Sequence, residues 1–167
     1  NIRLFFELIK FRLSFLVTFS AVFGFLLSSN YINYFSLFIL IISGFFITGS
    51  SIINNQIIEK DSDKLMKRTK NRPLPTNKIS SRNALFISLA LSITGLILMI
   101  LFLNKLTALL SFFSLIIYTF LYTPLKKVGP IAVFVGAIPG ALPPLIGWAA
   151  STNDISLEAL IIFSIQF

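Results

Sequence analysis

Three oxygen-bearing side chains, Asn55, Glu59 and Asp63, recur every fourth residue at the end of a long apolar stretch. On a helix that spacing drifts by only about 40° per step, so the carboxamide and the two carboxylates share one face over successive turns. Three such ligands cannot close an octahedron around Mg²⁺. They can hold one side of it while phosphate oxygens and water complete the rest, the usual way Mg²⁺ is bound. Asp61 falls half a turn away and points elsewhere. Spacing alone fits equally the solvated end of a helix whose acids pair with Lys60, Lys64 and Lys67, since charge runs usually line solvated faces. The adjacent carboxamides of Asn54 and Asn55 favour a polar cavity, because such groups at a membrane-facing helix end are otherwise costly.

A basic cluster follows directly, Lys67-Arg68-Thr69-Lys70-Asn71-Arg72-Pro73-Leu74-Pro75. Pro73 and Pro75 are expected to stop the helix and hold the segment extended. Arg68 and Arg72 would lie one turn apart if the helix reaches them, and their guanidinium forks suit phosphate oxygens. Anchoring of a cytoplasmic loop by positive charge explains the charge but not its position beside the carboxylates. An acidic metal site next to a basic cluster is the arrangement a diphosphate–Mg²⁺ complex requires.

The elements that must position these groups are membrane spans. Of 167 residues, 56% are hydrophobic and only 12% charged, about half the charge of a soluble domain, and mean hydropathy is +0.89. The apolar residues fall into runs near the roughly 20 residues that cross a bilayer core: 13–27, 34–58, 84–103, 106–122 and 131–150. Polar turns at 28–30, 104–105 and 151–154 separate some of them, and the last opens a sixth span. The fold class expected is all-α, a polytopic transmembrane helical bundle forming one domain over residues 1–167. Of the fourteen Lys and Arg, thirteen fall on one side if the N-terminus is cytoplasmic, eight of them in 60–82, leaving Lys105 outside. That bias predicts a cytoplasmic N-terminus and 60–82 loop. The net charge of +8 is therefore a loop signature, and no nucleic-acid partner is expected. Cys and His are absent, which excludes disulfides, thiolate sites, His catalysis and His ligation of haem iron within this stretch. Oxygen ligands remain, and they favour a hard cation. The chain starts without Met and ends inside an apolar run. It is expected to be the N-terminal portion of a longer protein, without a removable signal peptide.

These motifs resemble a known family. Asn55-x-x-x-Glu59-x-x-x-Asp63 resembles the first Asp-rich motif of the intramembrane aromatic prenyltransferase superfamily. The run Asp61-x-Asp63-x-x-Met66-x-Arg68-Thr69-x-Asn71-Arg72-Pro73-Leu74-Pro75 is similar, more narrowly, to the protohaem IX farnesyltransferases (haem O synthases). Tyr122-Thr123-Pro124-Leu125-Lys126 matches the superfamily's Tyr-x-x-x-Lys element, and Gly136 to Trp148 resembles the haem-specific fifth helix. The resemblance implies roughly nine spans in the whole enzyme, about five and a half of them here, with a second acidic motif beyond Phe167. It also implies transfer of a farnesyl group from farnesyl diphosphate to a vinyl group of haem b, giving haem O for terminal oxidase maturation. The expected cofactor is Mg²⁺, on Asn55, Glu59 and Asp63. Arg12, Arg68, Arg72 and Lys126 would bind the diphosphate, and Tyr122 and Lys126 would serve catalysis. Glu59 stands where members usually have Asp, which adds a methylene to the ligand. The location implied is the inner (plasma) membrane, and the fragment alone is expected to be inactive.

Three other readings fit parts of the sequence. The nearest is a sister prenyltransferase with an acceptor such as 4-hydroxybenzoate, against which the Arg-Thr-x-Asn-Arg-Pro-Leu-Pro run and the fifth helix favour haem. A transporter or channel segment should carry charge near mid-bilayer, whereas here charge crowds one rim. A structural subunit or decayed enzyme fits poorly with retention of the acids and arginines. Pro139, Pro143 and Pro144 with Gly136, Gly140 and Gly147 are read either as a packing kink or as a bend shaping a cavity. Trp148 is read as a belt residue near the outer interface.

Overall fold

The computed structural model describes residues 2–29 and 31–167. Asn30, placed in the first polar turn by the sequence reading, lies outside them. Four of the helices begin where a side chain accepts an orphan backbone N–H. Asn33 does so for Ser36, Ser80 for Asn83, Asn104 for Thr107 and Ser156 for Ala159. The elements in order are α1 (Ile2–Leu8), α2 (Phe11–Ser28), α3 (Tyr34–Ile58), α4 (Lys60–Leu65), α5 (Ser81–Phe102), α6 (Lys105–Ile116), a π-helical stretch (Ile117–Tyr122), α7 (Thr123–Leu125), α8 (Ile131–Thr152) and α9 (Leu157–Gln166). No strand occurs among the described residues. Helices α2, α3, α5 and α8, together with the run Lys105–Leu125, are long and apolar enough to cross a membrane. The protein is an all-α, multi-pass membrane bundle.

Two elements were not foreseen. Helix α1 is too short and too mixed in sequence to show a period. The π-helical stretch is caused by Pro124, which lacks an N–H and whose ring would strike the carbonyl four residues earlier. Widening the turn relieves that clash, and the Thr123 N–H reaches back to the Tyr118 carbonyl.

Helices α3 and α5 pack together, as do α2 and α8. The second contact is made by backbone. A Cβ at Gly24 would run into the Pro144 carbonyl oxygen, and one at Gly147 into that of Ala21. In spite of three internal prolines, α8 continues from Ile131 to Thr152. Around this contact Phe25, Leu40, Leu142, Leu145, Ile146, Ala150 and Ala159 form one core. Trp148 packs against that core, which makes it a partly buried packing residue as well as one near a helix end. The α3–α5 contact carries a polar seam: the Ser88 hydroxyl lies 2.9 Å from that of Ser50 and donates to Asn54 Oδ1 at 2.7 Å. Large apolar side chains such as Phe86, Ile93, Ile97 and Leu101 face outward on α5, where lipid would cover them.

The segment after α4 differs from expectation. Residues 66–79 are a series of turns and not an extended strand, with Lys70 N–H on Met66 O, Arg72 N–H on Thr69 O and Lys78 N–H on Pro73 O. The helix has already ended at Leu65. The physical reason is Leu74, which is fully buried against Leu8, Ile9, Ile53 and Ala84. Burying such a side chain stabilises by about 1.5–3 kcal/mol and draws the chain back onto the bundle, and the φ of proline is compatible with turns. Pro73 and Pro75 are buried beside it.

Because the α2–α8 contact leaves no room for a side chain, Gly147→Ala is expected to destabilise by about 1–3 kcal/mol. Thermal unfolding in detergent micelles checks this, and an unchanged Tm refutes it.

Candidate active site

The hydrogen-bond ladder of α3 runs on through the bend at Glu59, where ψ is 1°. Glu59 N–H bonds the Asn55 carbonyl at 2.9 Å, and Asp63 N–H bonds that of Glu59 at 2.8 Å. The four-residue spacing therefore survives the break between α3 and α4. Asn55 and Asp63 are 2% and 3% exposed. A carboxylate so buried needs a partner, and Asp63 has one: its Oδ2 accepts from Arg72 Nη1 at 2.6 Å. The Asp63 carbonyl also accepts from the buried Thr69 hydroxyl at 3.1 Å. The turns pinned by Leu74 thus deliver Arg72 to Asp63. Glu59 is paired from another direction, by Lys126 Nζ at 3.1 Å, just beyond α7. That ammonium also lies 4.5 Å from the centre of the Tyr122 ring, a cation–π geometry. Asp61, by contrast, is exposed and pairs with Lys64 at 3.0 Å, which holds its carboxyl below the usual range. The reading of a solvated acidic helix end applies to Asp61 and not to its two neighbours.

The two adjacent carboxamides have separate partners. Asn54 is taken up by Ser88 in the α3–α5 seam, whereas Asn55 Nδ2 donates to the Thr123 hydroxyl at 3.1 Å. Lys10 was not singled out from sequence. It lies at the hinge between α1 and α2 with φ 47°, a left-handed conformation uncommon outside glycine and found preferentially at functional sites. Burial pushes its ammonium below the usual value, repulsion from Arg72 adds to the effect, and attraction from Asp63 opposes it. Lys10 is therefore electrostatically part of the cluster. Its only trace in the sequence is its place at the onset of an apolar run, which it shares with Arg12. Arg12 and Arg68 are exposed, and among the described residues neither forms an ion pair. Arg12 faces a shallow groove with Arg3, Phe6 and Lys10.

A cavity of about 270 Å³, reached on α3 by Ser51 one turn before Asn55, lies between α2, α3, α5, α6, the π-helical stretch and α8. Its walls are mainly apolar, with Leu13, Ile47, Met99 and Ile146 among them, and Tyr118 and Tyr122 stand in its lining. The two tyrosine rings are 5.3 Å apart. Gly136, Pro139, Gly140 and Pro143 form the α8 wall, so the proline-rich helix borders this space without a break in its secondary structure.

Among the described residues no cluster of three His, Cys, Asp or Glu exists, so a cation here would rest on two carboxylates and one carboxamide. The donors are all oxygen, and with its Nδ2 engaged the Asn55 carboxamide keeps Oδ1 for a ligand. The set fits Mg²⁺ completed by phosphate oxygens.

Residues 17–167 match the UbiA prenyltransferase family. The chain belongs to that family. It is 46% identical over 164 residues to the protoheme IX farnesyltransferase of Cytophaga hutchinsonii, covering 98% of this chain and 57% of the relative. It is 45% identical to that of Flavobacterium psychrophilum, covering 96% and 54%. The chain thus spans a little over half the length of these curated relatives. In fold it is similar to a digeranylgeranylglyceryl phosphate synthase, with a TM-score of 0.88 at 24% identity over 99% of this chain and 58% of that one. It is also similar to a UbiA homologue from Archaeoglobus fulgidus bound to DMAPP and Mg²⁺, with a TM-score of 0.76 at 20% identity over 95% and 58%.

Removing one partner of a buried pair leaves an uncompensated charge. Arg72→Met is therefore expected to destabilise by about 3–5 kcal/mol. Loss of the exposed Arg3–Glu7 pair through Arg3→Met should cost about 0–1 kcal/mol. Parallel thermal melts compare them, and equal shifts would contradict the burial of the Asp63–Arg72 pair.

Proposed function

We propose that this chain is part of an enzyme that transfers the farnesyl group of farnesyl diphosphate to a vinyl group of protohaem IX, giving haem O. The observation that carries the reading is the position of Tyr122. It lines the apolar cavity and lies beneath the Lys126 ammonium that pairs with Glu59. One residue thus joins a space suited to an isoprenoid tail to a charged mouth suited to its diphosphate. The acceptor comes from the relatives, whose names are those of protoheme IX farnesyltransferases at 42–46% identity. The names of the structurally similar proteins support an isoprenoid diphosphate and Mg²⁺.

In this reading Asn55, Glu59 and Asp63 hold Mg²⁺, which when bound supplies Lewis-acid stabilisation of the departing diphosphate. Arg72 and Lys126, 2.6 and 3.1 Å from the two acids, add fixed positive charge at the same place. Such preorganised charge acts where negative charge grows during ionisation of the allylic C–O bond. Lys10 belongs with them by its position. Tyr118 and Tyr122 offer ring faces to the carbocation, each worth about 0.5–2 kcal/mol when desolvated. The apolar walls keep away water that would quench it. Arg12 and Arg68 are retained as diphosphate ligands only on the family pattern. The N-terminus and the 60–82 loop are assigned to the cytoplasmic face of the inner membrane, on the bias of thirteen basic residues in fourteen.

The test uses the full-length protein in membranes, with farnesyl diphosphate and either haem or 4-hydroxybenzoate, and products weighed by mass spectrometry. Farnesylated haem is expected, and a product only with the aromatic acid would overturn the acceptor. Asp63→Ala should lower product formation by about 10²-fold or more, and chelation of divalent ions should do the same. Unchanged turnover in the variant removes Asp63 from the site.

A further inference from the structure

The hydroxyl of Thr123 has a single proton, and its geometry commits that proton. Oγ1 donates to the Tyr118 carbonyl at 2.8 Å, and the same carbonyl takes the Thr123 backbone N–H. Only lone pairs are left on Oγ1, so whatever meets it from α3 must be a donor. The group that meets it is Asn55 Nδ2, at 3.1 Å. A carboxamide has one nitrogen end and one oxygen end, and tying the first fixes the second. Thr123 and Asn55 are both buried, at 0% and 2% exposure, so water cannot substitute for either bond.

The Tyr118 carbonyl is available because the helix is widened there. In regular α-helix it would accept the N–H of the residue four positions on. The π-helical register moves its backbone partner to Thr123 and brings the threonine hydroxyl to the same oxygen. Such single wide turns concentrate at functional sites.

We propose that Thr123 is a positioning residue that locks the Asn55 carboxamide with Oδ1 presented to the cation site, the π-helical turn supplying the acceptor that fixes the threonine hydroxyl. The inference rests on the proposed role of Asn55 as a metal ligand. Nothing in the motif pattern assigns it, since Thr123 is an unspecified position within Tyr-x-x-x-Lys. Groups that orient metal ligands typically account for 10- to 100-fold in metal affinity.

Mn²⁺ binding to the full-length protein, followed by the loss of its free-ion EPR signal, tests the lock without turnover. Thr123→Val keeps the volume and deletes the hydroxyl, and should weaken Mn²⁺ binding by about 10-fold or more. Thr123→Ser restores the hydroxyl and should bind within a few-fold of the parent. In an Asn55→Asp background both ends of the side chain are oxygen, so orientation no longer matters, and Thr123→Val, which also removes the oxygen that would there face a carboxylate, should weaken Mn²⁺ binding no further. Parent-like affinity in Thr123→Val overturns the proposal, as does an equal loss in the Asn55→Asp background, which would mark a packing effect. Should the valine variant not fold, Thr123→Ala carries the same expectation. Asn55→Ala separates the two levels. If it too leaves Mn²⁺ affinity unchanged, the metal assignment fails; if it weakens binding while Thr123→Val does not, only the positioning role fails.

Discussion

A carboxylate withdrawn from water at the rim of an apolar bundle must be matched in charge, and that requirement organises one end of this protein. Asp63 is almost wholly buried, and Arg72 reaches it at 2.6 Å from nine residues further along the chain. The turns between them exist because Leu74, flanked by two prolines, is seated among Leu8, Ile9, Ile53 and Ala84. That apolar anchor determines where the guanidinium can be. Glu59 makes the same demand and is answered by Lys126, which brings the end of another span to the mouth of the cavity. Two charge pairs thus bind α3, the following turns and α7 into one assembly.

Neutralising the acids internally also sets the terms on which they can be used. The cluster brings together Lys10, Arg72 and Lys126 with Glu59 and Asp63, a surplus of positive charge. In the proposed function an anionic headgroup would meet that surplus, and a cation entering between the acids would take over the role their present partners play. Electrostatic attraction within such a site is stronger than in water, since little solvent intervenes.

The bundle was legible in the sequence because hydrocarbon length imposes a period that no soluble helix shares. The second span agrees with α3 at both ends, and the others agree within a few residues. The acidic face was legible because its spacing is local and the helical ladder continues past Glu59. What could not be read were contacts made over long separations. Nothing in the residues near Asp63 says that Arg72 and not Lys67 or Lys60 will reach it, since that depends on where Leu74 is buried. Lys10 and Arg12 look alike in one dimension, yet Lys10 at its left-handed hinge is half-buried and feels the charges of Arg72 and Asp63, whereas Arg12 is exposed. The widened turn at 117–122 could have been suspected from Pro124 inside an apolar run, yet proline more often ends or kinks a helix. Two adjacent asparagines seemed to share a purpose, but one closes the α3–α5 seam and the other meets Thr123.

The backbone-to-backbone contact between α2 and α8 has a mechanical consequence for the cavity it borders. A seam without interposed side chains has no rotamers to change, so those two helices form a stiff wall. Compliance is left to other parts of the lining, where Met99 of α5 meets the space with an unbranched thioether chain that adapts its shape readily. A bulky guest would therefore be accommodated asymmetrically, by yielding along α5 and α6, while the glycine–proline wall keeps a constant profile against which the guest is aligned.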